Sequence, residues 1–394
     1  MRTYERTHPW LTFSVDLSHA PAALWVMLGE CQSKCEHIAG APLRPETAES
    51  LHRLFLAKGA LATTAIEGNT LTEEQVIEHL EGKLKLPPSQ EYLAQEIDNI
   101  VTACNGIFEK VRTGRASPLT VESIKELNRT VLDKLDVAED VIPGQVRTHR
   151  VTVARYRAVP PEDCEFLLGR FCDWLNGLSA TVPAGMSIAY GILRAVLGHL
   201  YLAWIHPFGD GNGRTARLVE FQTLVSAGVP TPAAHLLSNH YNQTRSEYYR
   251  QLDTATRSGG EVVRFLVYAV TGLLDGLRSQ LDQIRQQEWD VVWRNYVHER
   301  FGDRTTPSQV RRRHLVLDLS RQAGWVPISD LGQISTRIAR AYATKTRKTL
   351  MRDINALEEM GLVARDGRRV RARKDIIRAF LPAKAATEQV PQEA

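Results

Sequence analysis

The sequence predicts a mainly α-helical protein of more than one domain, and three observations predict it. Apolar residues recur at spacings of three and four along most of the 394 residues, in runs bounded by proline and glycine. Strand-like alternation is confined to two short stretches, around 146–153 and 362–371. Charge is divided unevenly. Residues 300–381 carry 19 Lys and Arg against 8 Asp and Glu, a net +11, which leaves −7 for the rest of a chain whose total is +4. The expected organisation is an N-terminal helical region at 1–110, a core at 111–290, a basic module at 300–381 and a disordered tail at 382–394.

Composition narrows the class. A hydrophobic content of 43% and a charged content of 24% are ordinary for a globular protein. Residues 1–18 are mixed and polar, so no secretory leader is expected. The longest apolar run, 188–205, contains Arg194 and His199 and is expected to be a buried helix, so no membrane partner is expected. Five cysteines, odd in number and without C-x-x-C spacing, point to reduced thiols and a cytoplasmic location.

The elements follow in order. Residues 1–20 read as irregular, with Trp10, Phe13 and Val15 against the body. A helix at 21–38 has Trp25, Val26, Leu28 and Cys31 as its apolar stripe, and Arg44-Pro45 interrupts after it. A second at 49–65 runs through Leu51, Leu54, Phe55 and Ala62 and meets a C-cap at Gly68-Asn69. Thr72 and Gln75 form a capping box for a helix at 71–84, and Pro87-Pro88 separates it from one at 91–111. Thr120 opens a helix at 120–132. Strand character around Val146, Val151 and Val153 ends before Pro160-Pro161, and a helix follows at 162–178. Helices at 186–205 and 215–227 flank a central loop, and helices at 236–256 and 262–286 close the body. His199, two turns before His206 on one helix face, is expected to be a core histidine.

The central loop is His206-Pro207-Phe208-Gly209-Asp210-Gly211-Asn212-Gly213-Arg214-Thr215-Ala216-Arg217. Gly211 and Gly213 allow a tight turn, and their N–H groups lead into a helix N-terminus, which makes an anion site. Arg214 and Arg217, three apart on that helix, can both reach one anion. Asp210 can offer an oxygen to a divalent cation. His206 can take a proton near neutral pH. Together they describe a phosphate-transfer site that works by positioning and electrostatics.

The loop resembles the signature of Fic-domain proteins, His-Pro-Phe-x-Asp/Glu-Gly-Asn-Gly-Arg-x-x-Arg. The resemblance implies a helical Fic-fold core with a short β-hairpin flap, and transfer of AMP from ATP to a protein hydroxyl. It implies that His206 deprotonates the hydroxyl and that Phe208 anchors the loop. Asp210 would bind Mg²⁺, Gly211, Asn212 and Gly213 would hold phosphates, and Arg214 and Arg217 would grip the β and γ groups. Ala216 stands where the family often has glycine, at a free position. Thr63 and Glu67-Gly68 resemble the family's inhibitory motif, Ser/Thr-x-x-x-Glu-Gly/Asn, so Glu67 would hold Arg217 and misplace ATP. The same glutamate could serve removal of AMP. The stretch at 143–153 corresponds to the flap that pairs with a target segment. Asn242, Tyr248 and Tyr249 would line the nucleotide pocket.

In the basic module, helices are expected at 311–322, 328–338 and 344–361, the last with Leu350, Ile354, Leu357 and Met360 on its apolar face. A hairpin then turns at Asp366-Gly367. Three helices and a basic hairpin resemble a winged helix. Thr344, Lys345, Thr346, Arg347 and Lys348 would open the recognition helix, and Arg365, Arg368, Arg369 and Arg371 would form the wing. The expected function is an autoinhibited protein adenylyltransferase whose target could be itself, in a homodimer. Two alternatives stay open: transfer of UMP, phosphate or phosphocholine by the same centre, and a nucleotide-sensing transcriptional regulator that binds DNA.

Overall fold

A computed structural model describes residues 2–43, 45–153, 155–179, 182–303 and 306–378. The tail expected at 382–394 and Arg44 lie outside the described residues. The chain forms two compact units, Met1–Asp282 and Gln283–Ala394. The division falls inside the helix Val263–Phe301.

The first unit has one apolar core. Leu11 and Phe13 of the N-terminal segment share it with Leu28, Ile97, Ile124, Phe171, Leu200, Phe221 and Leu273. The region at 1–110 therefore has no core of its own. At its centre the helix Ser187–Ile205 packs against Asn212–Ser226. Ser187–Ile205 is long and apolar enough to cross a membrane, yet 78% of its apolar window is buried inside the fold. Val121–Val131 and Glu91–Arg112 lean on Asn212–Ser226 from one side. Thr72 with Gln75, and Thr120 with Ser123, both form reciprocal caps. All five cysteines are free and buried.

Several elements differ from expectation. The first long helix, Ala22–Gly40, buries Leu24, Leu28, Cys31 and Cys35, while Trp25 and Val26 are exposed. A helix counted from Leu24 returns to the core at 28, 31 and 35, which excludes 25 and 26. The helix expected at 49–65 begins earlier, as Pro45–Ala65, because proline is accepted in a first helical turn. The helix expected at 71–84 spans only Glu73–Leu80. The strand expected around Val146 is instead a single bridge from Val146 to Phe208, and the hairpin is Thr152–Val153 against Tyr156–Arg157. The helix expected at 236–256 is two, Leu236–Gln243 and Arg245–Arg257, broken at Thr244. The closing helix reaches Phe301 rather than 286.

The second unit has its own core of Trp293, Val297, Leu315, Leu331, Ile338, Ile354, Leu357 and Val370. Its helices are Pro307–Leu319, Thr336–Tyr342 and Arg347–Glu359. Residues 328–335, expected as helix, hold a short 3₁₀ turn instead. Val363–Asp366 and Arg369–Ala372 pair antiparallel around Gly367, whose φ is 54°. Val326–Pro327 adds a third strand on Arg369–Ala372. Buried Asp353 accepts from Arg311, Arg312 and Tyr342, tying the last helix to the first.

Candidate active site

The loop begins where Ser187–Ile205 ends. His206 sits in the left-handed region (φ 49°, ψ 59°), a conformation that turns the chain out of the helix. Phe208 is buried and anchors the turn. Asn212 closes it: its Oδ1 accepts from the Phe208 N–H at 2.9 Å and its Nδ2 donates to the Phe208 carbonyl at 2.8 Å. Gly211, at φ 73°, stands at the N-cap of Asn212–Ser226. Asn128 supports the loop from Val121–Val131. It donates to the Asp210 carbonyl and Thr215 Oγ1 and accepts from the Gly144 N–H.

The candidate anion cradle at this turn is met by the chain's own carboxylate. Glu67 lies in the turn after Pro45–Ala65, where Gly68 has φ 116°. Its Oε1 is 2.7 Å from Nη2 of Arg217, which also donates to the Thr63 carbonyl at 2.9 Å. A Cβ at Gly213 would collide with this carboxylate, so the missing side chain is what admits it. Burial, the largest single influence, would raise the Glu67 carboxyl, but the facing Arg217 guanidinium, together with Arg214 and His206, holds the group below its ordinary range. Arg214 is paired separately: Nη1 lies 2.8 Å from Glu96 and Nη2 3.4 Å from Asp210. Asn69 donates to the second oxygen of Glu96 at 2.9 Å. Both arginines are almost wholly buried, and the Nε of each lacks an acceptor.

His206 is half-buried beside the cradle. Burial, then the positive charge of Arg147, push its pKa down to about 4, against an opposing hydrogen bond to the Ala203 backbone. The imidazole is therefore neutral at physiological pH and able to accept a proton. Arg147 is the strut of this corner. Its Nε donates to the His206 carbonyl at 2.9 Å, its Nη groups to the carbonyls of His149 and Val159, and its own N–H to the Pro207 carbonyl.

Of the other candidates, Tyr248 is buried and its hydroxyl lies 2.9 Å from His199 Nε2, while Tyr249 is exposed and Asn242 half-buried. His199 is core. Burial lowers its pKa to about 3, and Glu220 nearby is pushed up to about 8 by burial while accepting from Tyr241. Thr344 and Lys345 lie in the turn before Arg347–Glu359 rather than inside it, because the helix starts after Thr346. Arg347 and Lys348 open that helix, and Arg368 and Arg369 lie at the hairpin turn. All six are exposed. Sequence reading missed Asn128, Arg147 and Glu96. Each lies far along the chain from the residue it holds, and no local motif marks it.

Residues 118–224 match the profile of the Fic/DOC family. That stretch is similar to a Fic domain. Protein adenylyltransferase fic-1 of Caenorhabditis elegans is 32% identical over 194 residues, which are 49% of this chain and 35% of the relative. Protein adenylyltransferase Fic of Nematostella vectensis is 30% identical over 204 residues, 52% of this chain and 44% of the relative. The chain thus spans less than half the length of these curated relatives. Among solved structures, a Fic family protein from Desulfovibrio desulfuricans G20 superposes with TM-score 0.54 at 20% identity, covering 89% of this chain and 96% of that one. Fic-1 residues 134–508 from C. elegans gives TM-score 0.56 at 24% identity, covering 68% and 74%. These likenesses show that the helical Fic fold is shared.

Proposed function

We propose that this Fic domain transfers AMP from ATP to a protein hydroxyl and that Glu67 restrains it. One observation carries the reading: a carboxylate of the chain itself occupies the cradle formed by Gly213 and Arg217, beside the neutral imidazole of His206. A cradle that holds a carboxylate fits a phosphate, since both present oxygen acceptors to guanidinium and N–H donors. With Glu67 displaced, Arg217 and Arg214 orient the outer phosphates, and His206 takes the proton of the attacking hydroxyl. Asp210, with a half-exposed carboxylate beside the loop, fits a hard cation that keeps most of its ligands from phosphate and water. Mg²⁺ there would supply charge neutralisation. The relatives named as adenylyltransferases support the reading, as does the exposed strand Thr152–Val153, paired with Tyr156–Arg157, as a place for a target segment.

The test is incubation with ATP labelled on the α-phosphate. Glu67→Gly should label itself or a lysate protein more strongly than the parent, and His206→Ala should not label. Equal labelling of all three sinks the assignment. Competition with UTP and CDP-choline decides which moiety moves.

A second reading concerns the Gln283–Ala394 unit, which we read as a winged helix that binds DNA. Exposed Arg347 and Lys348 at the start of its last helix, with Arg368 and Arg369 on the hairpin, favour it. DNA affinity should fall steeply with salt and vanish on deleting 300–394. A flat salt response would exclude it. A homodimer and a cytoplasmic location complete the proposal. Sedimentation and fractionation test them.

A further inference from the structure

The second unit has a partly open cavity of about 230 Å³. Its walls come from the 290–298 stretch of one helix, from Pro307–Leu319 with the turn after it, and from Arg337 of Thr336–Tyr342. Four arginines line it from these elements: Arg313, half-buried, and Arg294, Arg321 and Arg337, exposed. The carboxylates at hand do not balance them. Asp290 is taken by Lys374 at 2.6 Å, and Asp318 is shared by Arg337, Ser335 and, at 4.0 Å, Arg321. Among the described residues neither Arg294 nor Arg313 has a carboxylate within ion-pair distance, and Arg313 Nε is buried without an acceptor. Trp293, 1% exposed, lines the same cavity with its indole N–H also unsatisfied. Both unmet groups are donors, and neither side chain can accept. Buried donors without partners call for acceptor oxygens. Neighbouring cations act on His314 in the same sense: burial lowers its pKa first, and Arg337 and Arg313 lower it further.

We infer that this cavity is an anion site for a small ligand bearing more than one phosphate-type charge. The arginines hold the oxygens, and Trp293 and Leu317 bound the remainder. Its volume is below that of ordinary drug-sized sites, which suits pyrophosphate or a small phosphate ester. Arg347, Lys348, Arg368 and Arg369, the residues read above as facing DNA, line none of it. Cations that line a concavity differ from a stripe laid out for a duplex backbone.

The probe is sodium pyrophosphate, titrated calorimetrically into the full chain at fixed ionic strength. Three proteins are compared: the parent, Arg294→Gln/Arg313→Gln, and Lys85→Gln/Arg115→Gln, two exposed residues of the first unit, as a control. Any binding at the Fic loop is common to all three. The cavity variant should lose one class of site or weaken it at least about tenfold, the effect of one charge-assisted contact, while the control matches the parent. An isotherm unchanged in the cavity variant overturns the proposal. A second readout needs no variant: pyrophosphate should protect Arg294 and Arg313 of the parent from phenylglyoxal, read by mass spectrometry. Protection by duplex DNA and not by pyrophosphate assigns the cavity to nucleic acid and also overturns it.

Discussion

Glu67 and Arg217, 150 residues apart, form an ion pair of 2.7 Å across the mouth of the Fic loop. The Arg217 side chain is 1% exposed and that of Glu67 34%. The arginine is therefore fixed in the fold, and the carboxylate is the partner able to leave.

Removal of Glu67 should have two opposed effects. Glu67→Gly leaves a buried guanidinium short of one acceptor, which costs about 1–3 kcal/mol and lowers the melting temperature. Self-labelling by ATP should rise in the same protein. ATP should also raise the melting temperature of the variant more than that of the parent, because the cradle is vacant. Thermal melts with and without ATP check this, and an equal ATP shift in both proteins speaks against a shared cradle.

Gly213→Ala separates the cradle from the latch. The added Cβ meets Glu67 Oε1 and crowds Arg217 Nη1. It should displace Glu67, as Glu67→Gly does, and also occupy space a phosphate needs. The variant should therefore lose nucleotide affinity by about tenfold or more and show no gain in labelling. A gain equal to that of Glu67→Gly would mean that the phosphate sits elsewhere.

The pH dependence follows from two shifts with worked signs. His206 has a pKa near 4, so its base form persists as pH falls through the ordinary histidine range. In a Glu67→Gly background, kcat/KM should stay level from about pH 8 to about pH 5 and fall only below that. A midpoint near the model-compound value of 6.5 would show that burial and Arg147 do not act on it. The Glu67 carboxyl is held below its ordinary value of 4.5, so the latch contributes stability above that value and loses it as pH falls below.

Arg147 gives a positioning test. Arg147→Met removes donors to the carbonyls of His206, His149 and Val159, and stability should fall by about 3 kcal/mol. It also removes a charge that depresses the His206 pKa. The acid limb of the kcat/KM profile should then move to higher pH, and Arg147→Lys, which keeps the charge, should leave it closer to the parent, whereas loosened packing would move it in both.

The helical class, the loop from His206 to Arg217 and the turn at Glu67 were legible because each is written in contiguous residues. Periodicity marked the helices, glycine and proline marked the turns, and mixed charges in twelve positions marked a candidate site. Trp25 and Val26 were misread because one apolar stripe was assigned without knowledge of the facing core. The hairpin was misplaced because the alternation of Val146, Val151 and Val153 is equally compatible with a bridge to Phe208.

By itself the sequence determined which groups could meet an anion: two guanidiniums, glycine N–H groups, an imidazole and a carboxylate. It could not say that Glu67 lies on Gly213, that Arg214 and Asn69 share Glu96, or that Arg147 props His206. Those pairings join residues dozens to more than a hundred positions apart. They are selected by helix packing, which decides which buried donors find acceptors, and that selection exists only once the core has closed.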